Sequence, residues 1–379
     1  LSLFRLKHDD YALRLLLFGR RRSRRPPRSL PPPAGAPVPA PAPIPPLVES
    51  EPLSADLQTR KQQFIADTAK KYGIPEAEIR AILTKAIYRQ SIVNAMSRPA
   101  ESTRTWAQYR PIFLTESRIR QGRAYFADNR VSVEEVATKS GVPSEIILAI
   151  MGVETGWGGN MGSHNVLDAL YTLAFHYPII NGKPNPARSA FFTDELGQLF
   201  ALTREEGFDI HALKGSYAGA MGLGQFMPSS YRKYAVDGDG DGRRDLFGSK
   251  KDTFASIANY FNGFGWQVGK PVFVRAAAAP GAAAYKPENW EAKFTLAELA
   301  VRGYAPVRPV ENLPSTLLTL EGVQGVEHWI GFKNFWVITR YNRSPMYAMA
   351  VWQLSQEIAQ RPYGAPEDSS VTAQAQAGR

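Results

Sequence analysis

The stretch that most constrains this chain is an apolar run closed by glycines, Ser144-Glu-Ile-Ile-Leu-Ala-Ile-Met-Gly-Val-Glu-Thr-Gly-Trp-Gly158. Read at helical spacing, Ile147, Ile150, Met151 and Glu154 fall on one face, which puts a carboxylate on the stripe expected to face a core. Burial disfavours the charged form of a carboxyl and raises its pKa. A carboxyl still protonated near neutral pH meets the first requirement of a general acid. Glycines at 156, 158 and 159 stop the helix just beyond it and leave room for a ligand to approach. From this run alone a second reading stays open: Glu154 as a core-edge carboxylate satisfied by an Arg, a Tyr or a backbone N–H.

Composition removes several chemistries. The chain of 379 residues is 44% hydrophobic, enough for a sizeable core, and has no cysteine. That excludes disulfides, thiolate metal sites and a cysteine nucleophile. Five histidines, none spaced as a ligand pair, argue against a transition metal. The net charge of +10 suggests nucleic acid until it is located: residues 1–28 hold nine Lys and Arg against Asp9 and Asp10, or +7, leaving +3 for the rest. The folded part is close to neutral, and nucleic acid is not an expected partner. No run of 18 apolar residues occurs, so no membrane-spanning helix is expected. The arginine cluster follows a short apolar patch rather than preceding it, a poor secretory signal.

Eleven prolines between Pro26 and Pro46 predict an extended linker. We divide the chain into a basic, Pro-rich tail (1–54), a body (55–361) and a disordered tail (362–379). Helices are predicted at 58–72, 75–89, 116–129 and 133–140. Others are predicted through Glu154 and at 192–206, 229–235, 253–262 and 346–360. Within 271–320, short β-capable pieces at 272–275 and 293–296 predict a small insert of strands and loops. The fold class is mainly α (α+β). The body parses into a helical region (55–115), a core (116–270 and 326–361) and the β/loop insert (271–325).

Three further runs carry candidate chemistry. Gly215-Ser-Tyr-Ala-Gly-Ala-Met-Gly-Leu-Gly-Gln225 places four glycines within ten residues, letting backbone line a cleft around one amide. A plain glycine-rich turn is the alternative, and no Gly-Lys-Ser/Thr follows to make it a phosphate loop. Asp237-Gly-Asp-Gly-Asp241-Gly-Arg243-Arg-Asp245 matches the first nine positions of an EF-hand calcium loop, with Arg243 offering its carbonyl. Its twelfth position is Gly248 rather than Glu. Asp252 either closes a longer loop as a ligand or caps the next helix. Finally, Phe335-Trp-Val-Ile-Thr-Arg-Tyr341-Asn342-Arg-Ser-Pro-Met-Tyr347, with Tyr260, offers ring faces and an amide suited to sugars, or equally a core and its loop.

Together these runs resemble the membrane-bound lytic murein transglycosylase B family. The matching runs are Gly152-Val-Glu-Thr-Gly-Trp-Gly158, Lys214 through Tyr231, Ser256-Ile-Ala-Asn-Tyr-Phe261 and Ile338-Thr-Arg-Tyr-Asn342 with Tyr347-Ala-Met-Ala-Val, in the family's order and spanning about residues 60 to 360. The resemblance implies a lysozyme-like core with an added helical region and a small β region. It implies cleavage of the β-1,4 bond between N-acetylmuramic acid and N-acetylglucosamine in peptidoglycan, leaving a 1,6-anhydromuramyl end. It also implies Glu154 as single acid/base, and Ser216, Gln225, Tyr260, Tyr341, Asn342, Tyr347 and Tyr109 as cleft residues. Asp237, Asp239, Asp241, Arg243 and Asp252 would hold a structural Ca2+. A periplasmic, monomeric enzyme acting on glycan strands is the expectation. Lipoprotein members carry a cysteine near the N-terminus, so a lipid anchor is not expected here.

Glycosidases that use two carboxyls hold them several ångströms apart. Asp168, Asp194 and Glu195 are the candidates for a partner to Glu154, and each fits a helix surface or cap at least as well. A muramidase-type hydrolase and a non-catalytic, calcium-stabilised peptidoglycan-binding module are the rival readings.

Overall fold

The computed structural model describes residues 51, 56–97 and 104–361. The basic segment, the proline stretch and the 362–379 tail lie outside the described residues.

Four helices precede the core: α1 (Leu57–Tyr72), α2 (Glu76–Lys85), α3 (Gln90–Ser97) and α4 (Trp106–Phe113). Gly73, at φ 66°, ends α1 as the sequence predicts. The second predicted helix does not run to residue 89. The chain turns out at Ala86, and Ile87 N–H and the Arg89 guanidinium reach the Asp168 carboxylate at 2.9–3.0 Å. A tertiary ion pair overrides the local helical pattern there. α3 and α4 were not predicted; α4 starts at a capping box of Thr105 and Gln108.

The predicted helices at 116–129 and 133–140 are one continuous 25-residue helix, α5 (Glu116–Ser140). No glycine or proline separates them. Asn129, at the end of the first predicted helix, donates its amide to the Tyr125 carbonyl one turn back rather than capping a new start. Gly141 (φ 72°) then redirects the chain into α6 (Ser144–Thr155). All residues of α6 are buried, so it is the central rod of the core rather than a helix with one apolar stripe. Parts of α5, α10 and α13 surround it.

Beyond it come β1 (His164–Asn165), α7 (Val166–Phe175), α8 (Pro186–Glu206) and β2 (Lys214–Gly215). β1 and β2 pair antiparallel, His164 opposite Gly215, and pin the start of the glycine-rich loop beside the segment leaving α6. α9 (Pro228–Tyr234) opens on Pro228 at its first turn, and α10 (Lys250–Gly263) follows the acidic loop.

The insert is a four-stranded antiparallel sheet in the order β4-β3-β6-β5, from β3 (Phe273–Ala278), β4 (Tyr304–Pro306), β5 (Ser315–Gly322) and β6 (Gly325–Phe332), with α11 (Leu296–Val301) between β3 and β4. The strand predicted at 293–296 is a single bridge, Phe294 to Ser315, because the Thr295–Glu298 capping box starts α11. β6 carries the sheet to Phe332, into residues assigned from sequence to the second core segment. α12 (Lys333–Tyr341) and α13 (Pro345–Ile358) return the chain to the core, α13 packing on α4, α5 and α6. The architecture is mainly helical with a minor sheet. No single helix among the described residues is long and apolar enough to cross a membrane.

Candidate active site

Glu154 occupies the last turn of α6 and is 5% exposed. Tyr347, fully buried in the first turn of α13, donates its phenol to Glu154 Oε1 at 2.6 Å. Burial pushes the Glu154 carboxyl up to about 7, and the Tyr347 hydrogen bond opposes this only in part. Among the described residues no charged neighbour contributes to that shift. The partner that satisfies the carboxyl is a tyrosine, and its hydrogen bond does not bring the pKa back to normal.

The three carboxyls considered as partners to Glu154 are each occupied elsewhere. Asp168 holds Ile87 and Arg89. Asp194 pairs with Lys71 at 2.7 Å on the surface. Glu195, buried, accepts from Ser229 N and Oγ at 2.9 and 2.6 Å at the start of α9. Burial pushes Glu195 up to about 7 as well.

The glycine-rich loop is a built wall rather than a simple turn. Gly222 sits at φ 72°, and a Cβ there would lie 2.5 Å from the Leu246 carbonyl, so only glycine fits. Gln225 itself has φ 52°, a conformation uncommon for a residue with a side chain. Its Nε2 donates to the Met161 and Gly222 carbonyls at 3.1 and 3.0 Å, and its buried Oε1 has no hydrogen-bond partner among the described residues. Ser216 Oγ accepts from Ala220 N at 3.0 Å and closes the turn.

Tyr341 OH donates to the Gly224 carbonyl at 2.7 Å, and Tyr260 OH to the Arg340 carbonyl at 2.6 Å. The rings of Tyr260 and Tyr341 meet edge-on at 4.9 Å. Gln225, Tyr260 and Tyr341 line one pocket of about 240 Å³. Glu154 and Tyr347 are not on its wall, yet the Glu154 charge acts on Tyr260, Tyr341 and Tyr347 alike. Asn342 is buried, its Oδ1 accepting from Ser344 N at 3.0 Å. Tyr109 is buried on α4 between Trp106 and Phe113, close enough to Tyr347 to act on it. A larger cavity of about 810 Å³ between α1 and α8 holds none of the candidate residues.

Two residues not singled out from sequence tie the site together. Thr155 Oγ1 donates to the Leu223 carbonyl at 3.0 Å and accepts from Gly158 N at 3.0 Å, joining the end of α6 to the glycine-rich loop. Arg118 Nη1 donates to the Gly152 carbonyl at 2.7 Å, in the turn that carries Glu154. The Gly-Val-Glu-Thr-Gly run contained the first signal; nothing local marked the second.

In the acidic loop, carboxylate oxygens of Asp237, Asp239 and Asp252 lie within 4.8 Å of one another. Asp252 is 1% exposed and accepts from the N–H groups of Gly238, Asp239 and Asp245. The cap of α10 is Ser249, whose Oγ takes Asp252 N, so Asp252 closes the loop rather than capping the helix. Backbone N–H groups of Gly240, Asp241 and Gly242 converge on Asp237 and hold its carboxyl below the usual range. Asp241 Oδ1 accepts from Arg243 N at 2.8 Å, and Asp241 is not one of the clustered three.

Residues 56–356 match the family described as Transglycosylase SLT domain. The chain is 40% identical over 309 residues to membrane-bound lytic murein transglycosylase B of Escherichia coli (strain K12), covering 79% of this chain and 82% of that protein. Among solved structures, soluble lytic transglycosylase SltB1 from Pseudomonas aeruginosa superposes with a TM-score of 0.72 at 41% identity, covering 79% of this chain and 98% of that one. The Escherichia coli lytic transglycosylase Slt35 in complex with calcium gives 0.70 at 39% identity, with 79% and 93% covered. The chain belongs to this family of lytic murein transglycosylases, lysozyme-like enzymes that act on peptidoglycan.

Proposed function

We propose that Glu154 is the sole acid/base for cleavage of the N-acetylmuramic acid–β-1,4–N-acetylglucosamine bond, with closure of a 1,6-anhydromuramyl end. The observation that carries this is a buried carboxyl, pushed up to about 7, with no charged neighbour among the described residues contributing to its shift and with Asp168, Asp194 and Glu195 engaged elsewhere. A two-carboxylate site needs an ionised partner close by, which would act on Glu154.

In the first step protonated Glu154 gives its proton to the bridging oxygen as the C1–O bond breaks. The substrate's own N-acetyl group stabilises the cationic sugar. In the second step the Glu154 carboxylate takes the proton of the C6 hydroxyl, whose oxygen bonds to C1. The carboxyl is regenerated and no water enters. Tyr347 holds the carboxyl and shares its negative charge between the steps. Gln225, fixed through its Nε2, offers Oε1 as acceptor, and Ser216, Tyr260, Tyr341, Asn342 and Tyr109 frame the cleft that holds the sugar in reacting geometry.

Asp237, Asp239 and Asp252 fit a hard divalent cation. All are oxygen donors, one carboxyl is fully buried, and three negative groups this close repel without a positive charge between them. We propose Ca2+ as a structural ion here, with Asp241 and the Arg243 carbonyl as further oxygens of the same loop. The calcium complex of Slt35 supports this choice. We propose that the enzyme works as a monomer on glycan strands in the periplasm.

Mass spectrometry of digested sacculi tests the reaction. Products one water lighter than hydrolysis products are expected; reducing muramyl ends would make the protein a muramidase instead. No release at all would leave a binding module.

A further inference from the structure

Resting on the murein reading above, we propose that Arg340 and Arg343 form a subsite for a carboxylate on the lactyl substituent of the muramyl residue. Both guanidinium side chains line the 240 Å³ pocket whose other walls include Gln225, Tyr260 and Tyr341, so they face the same space as the sugar-binding candidates. Arg340 lies over the Trp336 ring at 4.4 Å, and Lys333 lies over that ring at 3.6 Å. Three cations are thus gathered along α12 and its exit: burial first and then Arg343 push the Arg340 pKa down, and burial first and then Arg340 do the same to Lys333, with the more distant Glu291 opposing both only in part. Among the described residues no carboxylate lies within 4.0 Å of Arg340; its one hydrogen-bonded side-chain partner is Thr339 Oγ1 at 2.9 Å, and its buried Nε has none. The acid on the same pocket wall, Glu195, is turned to Ser229.

An arginine held flat by an aromatic ring and lacking a carboxylate is a poor structural device and a good recognition one, because the planar fork matches a carboxylate in two places. A neutral N-acetylglucosamine unit has no such group. Muramic acid carries one by definition, either as the free lactyl acid or, when that is amide-linked, as the carboxylates of the attached peptide. Both sources share the chemistry.

The test is calorimetric binding to Glu154→Gln protein, which should not turn substrate over. Three soluble tetrasaccharides are compared: GlcNAc–MurNAc strands bearing peptide stems, the same strands stripped to the free lactyl acid, and uncharged chitotetraose. A preference of about tenfold or more for charged over neutral ligand is expected. Arg340→Gln should erase that preference, and Arg340→Lys should restore part of it. Arg343→Gln provides a second variant on the same pocket. Loss confined to stem-bearing strands assigns the peptide carboxylate, loss confined to stripped strands assigns the free lactyl acid, and loss on both shows that either carboxylate reaches the subsite. A protein with no charge preference, or one that keeps it in both glutamine variants, overturns the subsite. Absence of anhydro products from sacculi would instead overturn the reaction and leave this binding result standing.

Discussion

Tyr347 and Glu154, 193 residues apart in sequence, meet through a 2.6 Å hydrogen bond at the centre of the molecule. The bond stabilises the ionised carboxyl against the burial that destabilises it. Tyr347→Phe should therefore raise the Glu154 pKa further and move the alkaline limb of the kcat/KM–pH profile upward. The cleavage rate at the optimum should fall on the order of tenfold, as the anion formed between the two steps loses its donor. An unmoved alkaline limb would mean that Glu154 is not the titrating acid.

Glu154→Gln should reduce cleavage of sacculi by about 10²–10⁴-fold and at the same time stabilise the fold at alkaline pH. The carboxyl rises from 4.5 in the unfolded chain to about 7 when folded, so between these values the native state binds the extra proton and stability falls as pH rises. The cost of the charged form is on the order of 3 kcal/mol above pH 7 and vanishes below pH 4.5. The melting-temperature gap between variant and wild type should open between pH 5 and pH 8. A constant gap would contradict it.

Millimolar Ca2+ should raise the melting temperature, since a ligand held only by the folded loop stabilises it by about 3 kcal/mol at a hundred times its Kd. Asp252→Asn should blunt that response more than Asp241→Asn, because Asp252 lies inside the carboxylate cluster and Asp241 outside it. Chelator titration followed by circular dichroism measures both. A wild-type response in Asp252→Asn would remove Asp252 from the site.

Gly222→Ala puts a methyl group 2.5 Å from the Leu246 carbonyl in a backbone region unfavourable by about 1–2 kcal/mol for a non-glycine residue. The loop must shift, and Gln225 with it. Turnover should fall by tenfold or more, with a modest loss in melting temperature. Unchanged turnover would mean that the loop geometry does not govern the chemistry.

The Gly-Val-Glu-Thr-Gly run and the Gln225 loop were legible because their glycines and their misplaced polar residues are local signals. The start of α13 was legible for a similar reason, since Ser344-Pro345 is a helix start in itself. The pairing of Glu154 with Tyr347 was not, because nothing in either segment encodes a contact between residues so far apart. α7 was missed because its residues are all buried, so it has no polar face to give a period. α2 was overextended because the Asp168–Arg89 pair that ends it is tertiary. The resemblance to a known family joined segments that periodicity alone left separate.

The Glu154 rod is complete by residue 155, but its phenol arrives with α13, after the whole four-stranded sheet has been made. During synthesis the carboxyl therefore exists for about half the chain without the group that tempers its charge. A fragment ending before Lys333 would carry the carboxyl, the glycine-rich loop and the acidic loop, yet lack Tyr341, Asn342 and Tyr347 together. On the proposed mechanism, competence to cut the wall waits for α13, which brings Tyr347 to the Glu154 carboxyl.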